Sequence, residues 1–193
     1  MDLLPPGCTG TEKKFLRREF LGLCAMATAA ALSPSTAVAA LGRLADPGKN
    51  LSFYNLHTDE YLDICYCRKG RYDPAALKKI NYILRDHRTG DVQAIDLQLL
   101  DLLHAISLKT RSQSPFHVIS GYRSRATNAK LRQKRKGIAS KSLHMYGKAI
   151  DIRLPGFSTR RLRNVAMAVE GGGVGYYPKA GFVHVDVGRV RFW

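Results

Sequence analysis

Two histidines and an aspartate have the residue types of a metal site. His144 and Asp151 lie seven positions apart in SLHMYGKAID, and His184 follows later in FVHVDVG. Two imidazoles and one carboxylate leave the fourth position of a tetrahedral zinc ion open, as in catalytic rather than structural zinc sites. Spacing alone leaves a second interpretation open, because a histidine and an aspartate this close also form ordinary surface hydrogen bonds.

Strand-like alternation predicts that these side chains project into a polar cleft. In KAIDIRL, Asp151 and Arg153 share one face, and isoleucines and a leucine occupy the other. In FVHVDVG, His184 and Asp186 share a face opposite three valines. An aspartate in the middle of a strand is costly to bury unless something binds it. Matched polar faces on two strands therefore indicate a site rather than a second core.

Periodicity along the rest of the chain predicts a single α+β domain with an antiparallel sheet flanked by helices. The expected strands are 51–55, 60–67, 116–120, 148–154, 174–178 and 181–188. Asp73, Asp96 and Ser158 have the positions of helix N-caps, and a further helix is expected from Ser124 to about Lys134. The first helix is expected to end just before Gly90, and the last at Glu170.

The first 39 residues have the order of an export signal. Arg17-Arg18 precedes an apolar run at 20–32, and small residues at 37–39 form an A-x-A cleavage site. The paired arginines resemble a twin-arginine signal. We therefore expect a signal peptide at 1–39, a linker at 40–50, a folded domain at 51–193 and a periplasmic location. The alternative is an amphipathic N-terminal helix that remains attached.

The charge of the chain predicts an anionic partner. Lys and Arg number 31 against 15 Asp and Glu, which gives a formal net charge of +16. An exported protein rarely meets nucleic acid, so we expect the anionic cell wall as the partner and no nucleic-acid binding. An intracellular nucleic-acid binder is the alternative if the N-terminal segment is retained. No later apolar run approaches bilayer length, so we expect no stable membrane insertion, and a monomer by default.

A family resemblance adds to these patterns. SLHMYGKAID fits Ser-x-His-x-x-Gly-x-Ala-x-Asp, HVD supplies the later histidine, and SGYRS (120–124) precedes both. In this order the motifs resemble the zinc D,D-peptidases of the D-Ala-D-Ala carboxypeptidase and murein endopeptidase superfamily. Over about residues 50–193 the chain is also similar to the small exported group of murein endopeptidase K-like enzymes.

The resemblance implies a role for each matching residue. His144, Asp151 and His184 match the zinc ligands. Arg123 matches an arginine that binds substrate and acts in catalysis by stabilising a charged intermediate. Ser142 matches a serine beside the site that binds substrate or a ligand.

One position departs from the pattern. Many carboxypeptidase-type relatives carry a glutamate three residues before the second zinc histidine as general base, whereas this chain has Gly181 there. Asp186 is the nearest acid on the same strand face, and we expect it in the catalytic site as the base or as a hydrogen-bond partner that orients His184. Glu170, or an acid brought in by folding, is the alternative base.

These features together predict a zinc-dependent peptidoglycan endopeptidase that hydrolyses amide bonds of peptide cross-links in cell-wall turnover. Two alternatives stay open. One is a D,D- or L,D-carboxypeptidase that acts on stem peptides. The other is a non-catalytic wall-binding module, which the glycine at position 181 keeps open.

Overall fold

A computed structural model describes residues 48–134 and 137–193. The predicted signal peptide and residues 40–47 of the predicted linker lie outside the described residues. None of the helices in the described part has both the length and the apolar content needed to cross a bilayer.

The described residues form an α+β domain around one eight-stranded sheet, which confirms the predicted fold class. The strand order is β3-β2-β1-β4-β5-β7-β6-β8. Neighbouring strands are antiparallel except for the pairs β1·β4 and β6·β8. The strands are β1 Lys49–Asn55, β2 Tyr61–Arg68, β3 Arg71–Tyr72, β4 Phe116–Ser120, β5 Ala149–Arg153, β6 Gly173–Tyr177, β7 Phe182–Asp186 and β8 Arg191–Phe192.

Four α-helices and one short 3₁₀ helix are described. They are α1 Pro74–Ile83, α2 Leu97–Thr110, α3 Arg125–Lys134, the 3₁₀ helix Leu143–Tyr146, and α4 Thr159–Met167. The three predicted N-caps are confirmed: the side chains of Asp73, Asp96 and Ser158 each accept a backbone N–H from the first turn of their helix.

Two predicted helix ends are wrong. Helix α1 ends at Ile83, well before Gly90, because the Leu84 carbonyl accepts the N–H of Tyr122 (2.7 Å) and the chain turns away. Helix α4 ends at Met167 rather than at Glu170, which has a φ of 55° in the left-handed region. Both helices end because of contacts and turns that the apolar periodicity of the sequence does not report.

The predicted linker also overlaps the sheet. Strand β1 begins at Lys49, opposite Cys67, and Asn50 lies opposite Cys65. Residues 49 and 50 therefore belong to the folded domain. Both cysteines are free thiols, and Cys67 is buried.

The two faces of the sheet differ in chemistry. One face carries buried aliphatic side chains such as Ile152 and Val183, which pack in the same core as Leu99 and Leu103 of α2. Burial of each such side chain stabilises the fold by roughly 1.5–3 kcal/mol. Because side chains alternate along a strand, the other face must carry the polar residues Asp151 and His184. We refer to it as the site face.

Candidate metal centre

The structure brings the three predicted ligands together. Asp151 on β5 lies directly opposite His184 on β7 in the strand register, and His144 reaches them from the 3₁₀ helix. His184 Nδ1 is 2.8 Å from Asp151 Oδ1 and 3.2 Å from His144 Nε2. His144 Nε2 is 3.3 Å from Asp151 Oδ1. One atom from each side chain thus points at a common centre.

These separations fit a tetrahedral metal ion. Nitrogen and oxygen ligands lie about 2.0–2.2 Å from zinc, so two of them in a tetrahedron are separated by roughly 3.3 Å. The three observed separations run from 2.8 to 3.3 Å. The donor set therefore suits zinc without a large rearrangement of the backbone.

Backbone hydrogen bonds hold His144 in place. Its Nδ1 donates to the carbonyl of Gly121 (2.8 Å), which leaves Nε2 for the centre. The His144 carbonyl in turn accepts the N–H of Arg123 (3.1 Å). Gly147 closes the 3₁₀ helix with a φ of 65°, a conformation that favours glycine. The turn between the first two ligands is therefore rigidly tied to the end of β4.

Asp186 holds His184 from behind. Its Oδ2 accepts from His184 Nε2 (3.0 Å), which leaves Nδ1 for the centre. Asp186 is fully buried and also accepts from the guanidinium of Arg191 (2.7 Å) and from the N–H groups of Gly173 and Gly188. A carboxylate with every oxygen engaged and no exposed surface is suited to positioning the imidazole.

The electrostatics favour a positive charge at the centre. Burial alone would raise the pKa of Asp151, but the neighbouring imidazoles of His144 and His184 hold it well below its usual range. Burial alone would lower the pKa of His184, but its bonds to Asp151 and Asp186 raise it to about 9. Burial lowers the pKa of His144. An imidazole held between two carboxylates is an environment that stabilises a cation.

Arg123 lies beside this centre with an unsatisfied donor. It is 8% exposed, and its Nη2 lies 3.7 Å from Asp151 Oδ2 and 3.3 Å from Ser120 Oγ. Its buried Nε has no hydrogen-bond partner. An unpaired buried donor costs roughly 1–3 kcal/mol. The Arg123 side chain keeps 10% of its surface exposed, so a ligand oxygen would meet the exposed part of the guanidinium rather than Nε.

The remaining predicted residues occupy different places. Ser142 is buried at the start of the 3₁₀ helix, where its carbonyl accepts the N–H of Met145, and its side chain caps nothing. Its role at the site stays a prediction. Glu170 is exposed and lies three residues after the end of α4.

Sequence reasoning missed a group of residues around His184. The indole of Trp193 lies 5.4 Å from the His184 ring and donates to the hydroxyl of Tyr177 (2.9 Å). Gly175 makes room for this indole, since a Cβ there would be 2.8 Å from it. Arg191 belongs to the two-residue strand β8, which is too short for periodicity to reveal. The two aromatic residues of RVRFW were the available signal.

Fold and site together define an α+β protein with a His-Asp-His cluster on the open face of its sheet. Residues 43–193 match the family described as peptidoglycan L,D-endopeptidase MepK. The chain belongs to this family and is therefore a peptidase.

Named relatives resemble the chain over almost its full length. The peptidoglycan L,D-endopeptidase MepK of Escherichia coli (strain K12) is 37% identical over 177 residues, which cover 92% of this chain and 96% of that protein. The probable peptidoglycan L,D-endopeptidase MepK of Haemophilus influenzae is 35% identical over 178 residues, which cover 92% and 95% respectively.

Proposed function

We propose that the protein is a zinc-dependent peptidoglycan endopeptidase that hydrolyses L,D amide bonds in peptide cross-links. Membership of a family of peptidoglycan endopeptidases supports the reaction and the substrate. The observation that carries the zinc dependence is the convergence of His144 Nε2, Asp151 Oδ1 and His184 Nδ1, while the second nitrogen of each histidine is engaged by a separate acceptor. Metal-binding histidines are held in this way.

The side chains divide the work between metal binding and substrate binding. His144, Asp151 and His184 would hold the zinc ion. Bound zinc supplies Lewis acidity, which makes water nucleophilic near neutral pH and polarises an amide carbonyl. Arg123, whose side chain stays 10% exposed beside the cluster, binds the substrate oxygen on which negative charge develops, and the low local dielectric strengthens that interaction.

Of the two roles predicted for Asp186, the positioning role has the better support. A general base must reach a proton on water or substrate, and Asp186 is fully buried behind His184. Its contribution is to fix the His184 tautomer so that Nδ1 stays free. Ser142 remains our proposed neighbour of the bound substrate.

We also propose that the enzyme works in the periplasm, after export by residues 1–39 as a twin-arginine signal. Residues 1–39 carry a net charge of +1, so residues 40–193 retain +15 of the +16, which supports attraction to the anionic wall, rather than to nucleic acid, once the chain is outside the cytoplasm. The N-terminal sequence of the protein recovered from the periplasm tests this directly. A start near Ala40 is expected, and a start at Met1 would contradict export with cleavage.

The central experiment compares zinc content and hydrolysis in wild type, His144→Ala and a His57→Ala control. His57 is exposed in the β1–β2 turn and lies outside the cluster, so its variant should behave as wild type. Wild type should bind one zinc ion and release cross-linked peptides from purified sacculi, and a chelator or His144→Ala should abolish both. Zinc binding without hydrolysis would favour the wall-binding module. Release of terminal residues alone would favour a carboxypeptidase.

A further inference from the structure

A second layer of side chains lies beside the metal centre on the site face. Arg153 is two residues after Asp151 on β5, and His117 on β4 lies directly opposite Arg153 in the register. Strand residues two positions apart are separated by about 6.6–6.8 Å. The Cα of Arg153 therefore lies about 6.6–6.8 Å from that of Asp151, and its side chain leaves the strand on the same face.

Arg153 is exposed and held in position. Its Nη2 donates to the carbonyl of Ala180 (2.8 Å) in the turn between β6 and β7. The guanidinium lies over Gly181, where a Cβ would come within 3.4 Å of Nη2. A guanidinium has five N–H donors, and within residues 48–134 and 137–193 this one has no other hydrogen bond and no ion pair. An ordered arginine with free donors is suited to a planar anion.

The surroundings of Arg153 are cationic. A cavity of about 630 Å³ opens beside it, lined also by His117, Lys179, the first residues of α4 and the core residues Ile152, Leu154 and Leu162. Neither Asp nor Glu lines it among the described residues. The first turn of α4 carries no acidic residue, so the partial positive charge of that helix end adds to the potential. The only charge that this cavity favours is negative.

We propose that Arg153 determines substrate specificity by binding a free carboxylate of the peptide about two residues from the cleaved amide. His117 and Lys179 complete this carboxylate subsite. An extended peptide advances about 3.3–3.6 Å per residue, and the Arg153 guanidinium lies over Gly181, three residues before His184, so two or three residues span the distance from the metal centre to it. This proposal rests on the proposed function, because the hydrolytic site defines where the cleaved amide lies.

The test uses two synthetic peptides that differ in one group. Both carry the cleavable L,D amide, and the residue two positions away bears either a free carboxylate or a carboxamide. Wild type should prefer the carboxylate peptide by about 10- to 100-fold in kcat/KM, mainly through KM, as expected for a charge-assisted hydrogen bond. In Arg153→Gln the ratio should fall to about one with unchanged zinc content, and in Lys179→Gln it should fall by less.

The matched control is Arg71→Gln. Arg71 is also an exposed strand arginine, but it lies on β3 at the far edge of the sheet. Its variant should keep the wild-type preference. If Arg71→Gln loses the preference to the same extent, general attraction to a basic surface explains the effect and the subsite is refuted. An unchanged preference in Arg153→Gln would also overturn the proposal.

Direct binding separates this proposal from the proposed function. Calorimetry with the metal-free proteins measures affinity for the two peptides without hydrolysis. Tighter binding of the carboxylate peptide to wild type, but not to Arg153→Gln, supports the subsite even if neither peptide is cleaved. Equal affinities for the two peptides in wild type would refute the subsite even if zinc-dependent hydrolysis is observed.

Discussion

Asp186→Asn should weaken zinc binding without changing any ligand of the centre. The carboxylate accepts from His184 Nε2 through Oδ2 and from Arg191 through both oxygens, so both partners donate to an acceptor-only group. An asparagine has one acceptor oxygen and one donor NH₂. If the oxygen faces Arg191, the NH₂ faces His184 and forces the tautomer that carries a proton on Nδ1. If the oxygen faces His184, the NH₂ opposes the guanidinium.

The substitution should change two quantities, the zinc affinity and the free energy of unfolding. Loss of a partner that orients a metal-binding histidine costs about 10- to 100-fold in metal affinity, which is about 1.4–2.8 kcal/mol. The metal-free protein should also lose about 1–3 kcal/mol of unfolding free energy, because Asp186 is fully buried. The side chain of Arg191 is 34% exposed, so water can solvate it, which keeps this loss below that of a fully buried pair.

Competition with a chromophoric chelator measures the zinc affinity, and urea unfolding in excess chelator measures the stability of the metal-free protein. The matched control is Asp63→Asn, an exposed aspartate that accepts a hydrogen bond from the hydroxyl of Ser52 (2.6 Å). Its zinc affinity should equal that of wild type. If Asp186→Asn loses stability but keeps wild-type zinc affinity, Asp186 has only a structural role and does not position His184.

Two further predictions concern stability. Gly147→Ala should destabilise the protein by roughly 1–3 kcal/mol in urea unfolding, because φ is 65° and the methyl group would collide with the Ala94 carbonyl. Gly70→Ala should cost less, because φ is also positive there but no atom of the described residues lies within 4 Å of the added methyl group. Burial alone would raise the pKa of Asp86, but hydrogen bonds from Thr127 and from the N–H groups of Arg88 and Ser124 lower it to about 2. The pKa of Asp86 in the folded protein is below the ordinary 3.8, so ionised Asp86 adds about 2 kcal/mol to the free energy of unfolding. This stabilisation is complete above pH 4 and is lost as the pH falls towards 2. Urea unfolding of wild type and Asp86→Asn should therefore differ less at pH 2 than at pH 5, and a constant difference would contradict this account.

Local chemistry made much of the fold predictable from the sequence. Asp73 and Asp96 cap helices through their own side chains, so the sequence next to each cap carries the signal. The alternation around Asp151 and His184 correctly placed both on one face, because the opposite residues are aliphatic and enter the core.

The features that escaped prediction depend on contacts between distant segments. The end of α1 is set by a hydrogen bond from Tyr122 to Leu84, 38 positions away in the sequence. The parallel pairing of β1 with β4 joins strands separated by two helices. The unpaired Nε of Arg123 exists only because folding buries that side chain. Neither periodicity nor a local motif reports such contacts.

The apolar face of the sheet controls the geometry of the candidate metal centre. Asp151 lies opposite His184 because Ile150 pairs with Val185 and Ile152 with Val183, and all four of these aliphatic residues are fully buried. A slip of one residue between β5 and β7 would expose one strand's aliphatic side chains and would also move its ligand away from the site face. The free energy that holds the candidate ligand atoms about 3 Å apart therefore comes mainly from hydrophobic packing on the opposite side of the sheet. That packing also offsets the cost of burying the Arg123 guanidinium and its unpaired Nε beside the cluster.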